Sequence, residues 1–326
     1  MANSKLLPSQ TVTNQSYYYV KNGSIYHNLY SHSGKKFEVY EAGKAPGFME
    51  EGKKYYSTDS ANFTSESGKF VGTAHQYFQY LPLLSKTSYT AEEIDVYIMK
   101  KLQQLEKDYP NNPDYKNASQ RSKLIGIGTL LKQMESTYHV NALHVLGISQ
   151  NESTYGLSDH AQKNNNLFGL YVSDTNPANK QFSSIEANVK ELMTAFLTKN
   201  YLPPKGAYAN GTNLGNKAVG VNVKYASDPY WGSKIAGHMY RIDREMGGHE
   251  LANPKDIRIA NTKSLKFRLD PSTNQDYAYH YKNIGMPLTV IDDQIAEAPW
   301  MIVQSDIAPH GVLYTHGDFV DKLQLP

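Results

Sequence analysis

The segment Gly147-Ile-Ser-Gln-Asn-Glu-Ser-Thr-Tyr-Gly156 carries the residue best suited to chemistry. An apolar helix runs into Glu152, and Gly156 stops it four residues later. Val145, Ile148 and Glu152 share one face at i, i+3 and i+7, so the carboxyl emerges from a half-buried surface. Partial desolvation disfavours the ionised form and raises the pKa of such a group. A glutamic acid kept protonated near neutral pH at a cleft wall can lend its proton to a departing glycosidic oxygen. The plain alternative is a surface glutamate near a helix terminus.

Three further segments follow in order: Asn164-Asn-Asn-Leu-Phe-Gly169, Phe182-Ser-Ser-Ile-Glu186 and Tyr225-Ala-Ser-Asp-Pro-Tyr-Trp231. With the glutamate helix, this ordered set across residues 141–245 resembles the bacterial glucosaminidases, family 73 of the glycoside hydrolases, found in autolysins and phage lysins. A weaker likeness extends upstream, where Tyr80-Leu-Pro-Leu through Ser88-Tyr-Thr-Ala-Glu-Glu is similar to the segment preceding this domain in Bacillus-type autolysins. The resemblance implies a lysozyme-like, mainly helical domain split by a cleft. It also implies hydrolysis of the β-1,4 bond after N-acetylglucosamine in peptidoglycan, without metal or cofactor.

Residue by residue, the resemblance puts Glu152 on the catalytic acid and Glu186 on the second acidic position. It puts Tyr225 beside the scissile bond, and Asp228 on the same segment. Asn166, Leu167, Phe168 and Gly169 fall on the run that shapes the cleft floor. Tyr230 and Trp231 either stack on a sugar or fill the core, and Tyr171, Tyr201 and Tyr208 are peripheral stacking candidates. The role of Glu186 stays open. At roughly 5–5.5 Å from Glu152 it would be a nucleophile, and at about 6.5–9.5 Å it would activate water. If the substrate's own 2-acetamido group assists, Glu186 would only orient it. It also fits a helix-dipole acid in the first turn after Ser183 and Ser184. The same scaffold would serve a lytic transglycosylase or muramidase, and a non-catalytic wall-binding or phage-tail protein is the rival of another class.

Helical signals position these groups. They run over 88–107, over 122–138 with Leu124, Ile127, Leu131 and Met134 on one face, from a cap at Asn141, over 184–199 and over 233–246. Residues 1–85 read as strands and turns, with a hairpin signal in Tyr17-Tyr-Tyr-Val20, Asn22-Gly23 and the run 24–29. After about residue 250 come short strands, in Ser264-Leu-Lys-Phe-Arg-Leu269, Met286-Pro-Leu-Thr-Val-Ile291 and Pro299-Trp-Met-Ile-Val303. Five or so strands there fit a small barrel, similar to the bacterial SH3-like modules that hold wall hydrolases in place, with Gly311-Val-Leu-Tyr314 a loose match to their closing signal. The expected plan is multidomain α+β: a β-rich module over 1–85, a lysozyme-like catalytic domain over 86–249, and an SH3-like wall-binding barrel over 250–326.

Composition bounds the alternatives. Cysteine is absent, which removes disulfides, thiolate metal sites and cysteine nucleophiles. A net charge of +2 is too balanced for a protein whose main partner is nucleic acid. No apolar run reaches a membrane span, and the start lacks the apolar core of a signal peptide. The expectation is therefore wall or extracellular action, with phage delivery as one route. The 26 tyrosines suit sugar rings as well as exposed strands. His249-Glu250 lacks the second histidine of a zinc helix and reads as a polar linker start. Gly126-Ile-Gly128 is no dinucleotide loop, Asp174-Thr-Asn-Pro-Ala-Asn179 reads as a turn, and no Gly-x-Ser-x-Gly elbow occurs.

Overall fold

Asn22 and Gly23 both take positive φ (52° and 73°), as a two-residue hairpin turn requires. They join β1 (Tyr17–Lys21) to β2 (Ser24–Ser31), where the sequence placed the hairpin. The structure, a computed structural model, describes residues 14–32, 34–171, 180–307 and 311–326; the Asp174–Asn179 turn lies outside them. With β3 (Lys36–Lys44), β4 (Tyr55–Tyr56), β5 (Asn62–Ser65) and β6 (Phe70–Thr73), these strands form an antiparallel sheet in the order β3-β2-β1-β4-β5-β6. Its own core is built on Tyr18, Ile25, Tyr55 and Phe63.

A separate, larger core unites the helices. It begins at Tyr77, so Tyr77, Phe78, Leu81 and Leu83 pack with the helices rather than with the sheet before them. The first long helix is Ala91–Asp108, closed by a reciprocal capping box between Thr90 and Glu93. The next begins at Gly128 and runs to Tyr138, later than the apolar spacing from Leu124 suggested. Gly126 has positive φ, and Gly128 passes so close to the Ala91 carbonyl that a Cβ would meet it at 2.2 Å. The chain therefore turns there, with Asp95 accepting from the Gly128 N–H at 2.7 Å.

Asn141 caps the Ala142–Ser153 helix through the Leu143 N–H. Nearly every residue of this helix is buried, so it runs through the middle of the domain. A short helix, Ile185–Glu191, continues into a wider π-helical stretch, Leu192–Tyr201. The last long helix spans Trp231–Glu245 and packs against both the Ala142–Ser153 helix and β3. Gly237 permits that second contact, since a Cβ there would lie 1.9 Å from the Glu41 carbonyl oxygen. Glu41, buried beneath it, pairs with Arg244 and Arg241.

Seven antiparallel strands follow: β7 (Ile257–Ala260), β8 (Leu265–Arg268), β9 (Tyr277–Tyr281), β10 (Pro287–Asp292), β11 (Trp300–Gln304), β12 (Val312–His316) and β13 (Val320–Lys322). Their order is β13-β7-β10-β11-β12-β8-β9, wrapped on Phe267, Tyr279, Tyr281 and Val303. The strands beyond the anticipated five are very short and carry charges, as β13 and β7 do, so alternation could not reveal them. Val219 from the helical part enters this core, and Gln304 donates to the Leu84 carbonyl. Glu250, far from being a loose polar linker, is buried and accepts from Thr87 and Ser88, tying the end of the helical region to its start.

Candidate active site

The glutamate helix ends abruptly because Thr154, Tyr155 and Gly156 all adopt positive φ. Glu152 is thus held in its last turn, half-buried. Its Oε1 accepts from the Trp231 indole Nε1 at 2.7 Å and from the Asn151 amide at 3.0 Å. Burial raises its pKa, and the Asp228 charge pushes the same way. The two hydrogen bonds and the Lys234 ammonium oppose them, and the upward effect wins.

Trp231 opens its helix and is 3% exposed, so its indole is a buried donor to the acid rather than a sugar platform. Tyr225 lies against it, ring centroids 4.7 Å apart. The Tyr225 ring is partly exposed, whereas its hydroxyl is buried with no hydrogen-bond partner among the described residues. Desolvation first, then the Glu152 charge, drives its pKa well above the ordinary phenol value. An uncharged phenol with a free donor and acceptor beside the acid is available to a substrate.

Asp228 shapes the helix start: one oxygen accepts from the Tyr230 N–H at 2.9 Å, the other pairs with Lys234 at 2.7 Å. Tyr230 is half-buried against His27 of β2, ring centroids 4.6 Å apart. Tyr40 of β3 accepts from or donates to His27 at 2.9 Å and donates to Ser233 at 3.2 Å. The amino-terminal sheet therefore braces the helix that carries Trp231 and Lys234.

The Asn164–Gly169 run passes on the other side of Glu152; a Cβ on Gly169 would stand 3.6 Å from Oε2. Asn166 and Phe168 are buried, at 1% and 2% exposure, and support this loop from beneath. Asn166 bridges Leu170 through both amide atoms, Asn188 donates to Asn166 Oδ1, and Asn188 Oδ1 accepts from the Leu167 N–H. Glu186 is exposed in the first turn of its helix, two residues after the Ser184 cap. The carboxylate whose charge raises the Glu152 pKa is that of Asp228. Glu191 accepts from Tyr171 and Lys180 on the outer surface.

Spacing alone had not singled out Asn151, Asn188, Lys234 or the His27–Tyr40 pair. Asn151 and Lys234 stand one and three residues from marked positions, a local signal that was readable; the His27 contact joins segments about 200 residues apart in sequence. Among the described residues no group of three histidines or acids could hold a metal ion, and no helix is long and apolar enough to cross a membrane.

Residues 128–244, the segment that builds this site, match the glucosaminidase family model, described as mannosyl-glycoprotein endo-beta-N-acetylglucosaminidase. Two Streptococcus pneumoniae proteins, each named "Putative endo-beta-N-acetylglucosaminidase", from strains TIGR4 and R6, are 35% identical over 231 residues. The match covers 68% of this chain and 31% and 29% of theirs, so the chain spans about a third of the length of these relatives. Staphylococcus aureus autolysin E aligns over 56% of this chain and 83% of its own, at 18% identity and a TM-score of 0.36. A catalytic mutant of it, in complex with the disaccharide NAG-NAM, aligns over the same shares at 17% and 0.35.

Proposed function

We propose that the chain is a peptidoglycan hydrolase, an endo-β-N-acetylglucosaminidase that cuts the GlcNAc-β-1,4-MurNAc bond with Glu152 as general acid. The observation that carries this reading is the desolvated Glu152 carboxyl, held by Trp231 and Asn151 at the end of a buried helix inside the family-matched segment. The two S. pneumoniae relatives, by their names, support the same reaction class.

Glu152 Oε2 carries no contact with Trp231 or Asn151, which both bind Oε1, so it is the oxygen suited to hold the proton. That proton passes to the glycosidic oxygen as the bond to the anomeric carbon breaks. Positive charge then develops on the sugar ring. The unpartnered Tyr225 hydroxyl is placed to bind the substrate's acetamido group or the incoming water. Glu186, exposed at its helix start, is assigned the water-activating role at the open side of the site, and Asp228 fixes the helix that presents Trp231. Asn166, Phe168 and Gly169 shape the floor, and Tyr230 flanks it. The reading places the enzyme at the wall, outside the cell. Residues 250–326, seven short strands on an aromatic core, fit an SH3-like wall-binding module.

Mass spectrometry of fragments released from purified peptidoglycan tests the reaction class. Reducing N-acetylglucosamine ends are expected. Anhydromuramic ends would instead make it a lytic transglycosylase, reducing muramic ends a muramidase, and wall binding without release a non-catalytic module.

A further inference from the structure

A groove of about 610 Å³ separates the helical region from the carboxy-terminal sheet. One wall is the Pro204–Lys205 turn; the other is β9 and its flanks, with Asp276, Tyr277, His280 and Lys282. Strand β9 pairs with β8 from Leu265 to Arg268 and ends the sheet, so its outer edge has no partner strand among the described residues. An unpaired edge presents alternating N–H and C=O groups, which an extended peptide matches and a sugar chain does not. The charge is one-sided: Lys205 and Lys282 are exposed, His280 stands on the same face of β9 as Lys282, and Asp276 is the lone acid.

The groove is continuous with the catalytic centre through aromatic contacts. Tyr208 lies on the same turn as Lys205, its N–H bonded to the Asn200 carbonyl. Its ring is 5.3 Å from Tyr201, which is 5.6 Å from Tyr225, which stacks on Trp231 beside Glu152. Entry of Val219 into the carboxy-terminal core fixes the two walls against each other.

We propose that this groove binds the peptide arm of the wall polymer: an extended peptide with free carboxylates, added as a strand to β9 and held by Lys205 and Lys282. The carboxy-terminal module is then part of substrate recognition at the cleft. This rests on the hydrolase reading for its biological meaning, yet binding can be read without the reaction.

The test uses the whole chain carrying Glu152→Gln and, as probe, N-acetyl-L-Ala-D-Glu-L-Ala-D-Ala, which bears two carboxylates. Titration followed by NMR or calorimetry is expected to show binding that weakens at least tenfold in Lys205→Glu/Lys282→Glu and with the carboxyl-amidated probe. Neither exposed lysine holds the fold, so circular dichroism of the variant should be unchanged. Equal binding by both proteins, or no binding by either, would overturn the proposal. In otherwise wild-type protein, the same double variant should lose activity on peptide-bearing walls and keep it on peptide-stripped glycan. An equal loss on both substrates would also overturn it, whereas a wild type inactive on both would sink the hydrolase reading and leave the binding result standing.

Discussion

The indole nitrogen of Trp231 donates to Oε1 of Glu152 at 2.7 Å, joining the first residue of one helix to the last turn of another. That bond favours the ionised carboxylate and so restrains the rise that burial imposes on the Glu152 pKa. Trp231→Phe removes the donor while keeping most of the ring. The pKa should then rise further, moving the basic limb of the kcat/KM profile to higher pH. Activity at the optimum should fall by about tenfold, the worth of one hydrogen bond to a charged group. A profile that stays in place would separate the indole from the acid's titration.

The Asn166–Asn188 pair fastens the loop that passes Glu152. Asn188→Ala strips the Leu167 N–H and Asn166 Oδ1 of a partner inside the core, costing about 1–3 kcal/mol. Thermal unfolding should register that loss, and KM should rise because the floor of the site loosens.

Docking of the amino-terminal sheet depends on the bare backbone at Gly237. Gly237→Ala would drive a methyl group into the Glu41 carbonyl, and overpacking of this kind costs roughly 1–3 kcal/mol. Because Trp231 and Lys234 ride on the same helix, activity should decline together with Tm. A variant with lowered Tm and unchanged kcat/KM would show that the sheet is dispensable to the site.

Asp306 is buried in the carboxy-terminal core, accepts from the Tyr281 hydroxyl at 2.8 Å, and is pushed up to about 7 by desolvation. An acid whose folded pKa is raised stabilises most when protonated in both states. Its contribution is complete below the ordinary aspartate value of 3.8 and is lost as pH climbs through about 7. Wild-type stability should therefore drop by a few kcal/mol relative to Asp306→Asn between about pH 4 and pH 7. Chemical denaturation of both proteins across that window checks the sign; parallel curves would deny it.

The glutamate helix was legible because its signals are local: apolar residues at helical spacing, an asparagine cap and a glycine stop. The first hairpin was legible for the same reason at Asn22-Gly23. Trp231 was not, since an indole reads alike whether it fills a core, faces a sugar or donates to a carboxyl. Only the fold, which sets Trp231 79 residues from its acceptor in sequence, decides among them. The late start at Gly128 hinged on a close backbone crossing with Ala91, and Glu41 beneath Arg244 on a contact spanning 203 residues. Apolar periodicity reports which face is buried, not what covers it.

Substitution of Glu152 by glutamine reaches the central claim most directly, because it keeps the shape and both hydrogen-bonding ends while removing the transferable proton. Reducing ends released from purified walls should fall by a factor of about a thousand, in line with the upper range for a positioned general acid, with Tm and near-ultraviolet dichroism preserved. Undiminished release by the folded Glu152→Gln chain would contradict the account.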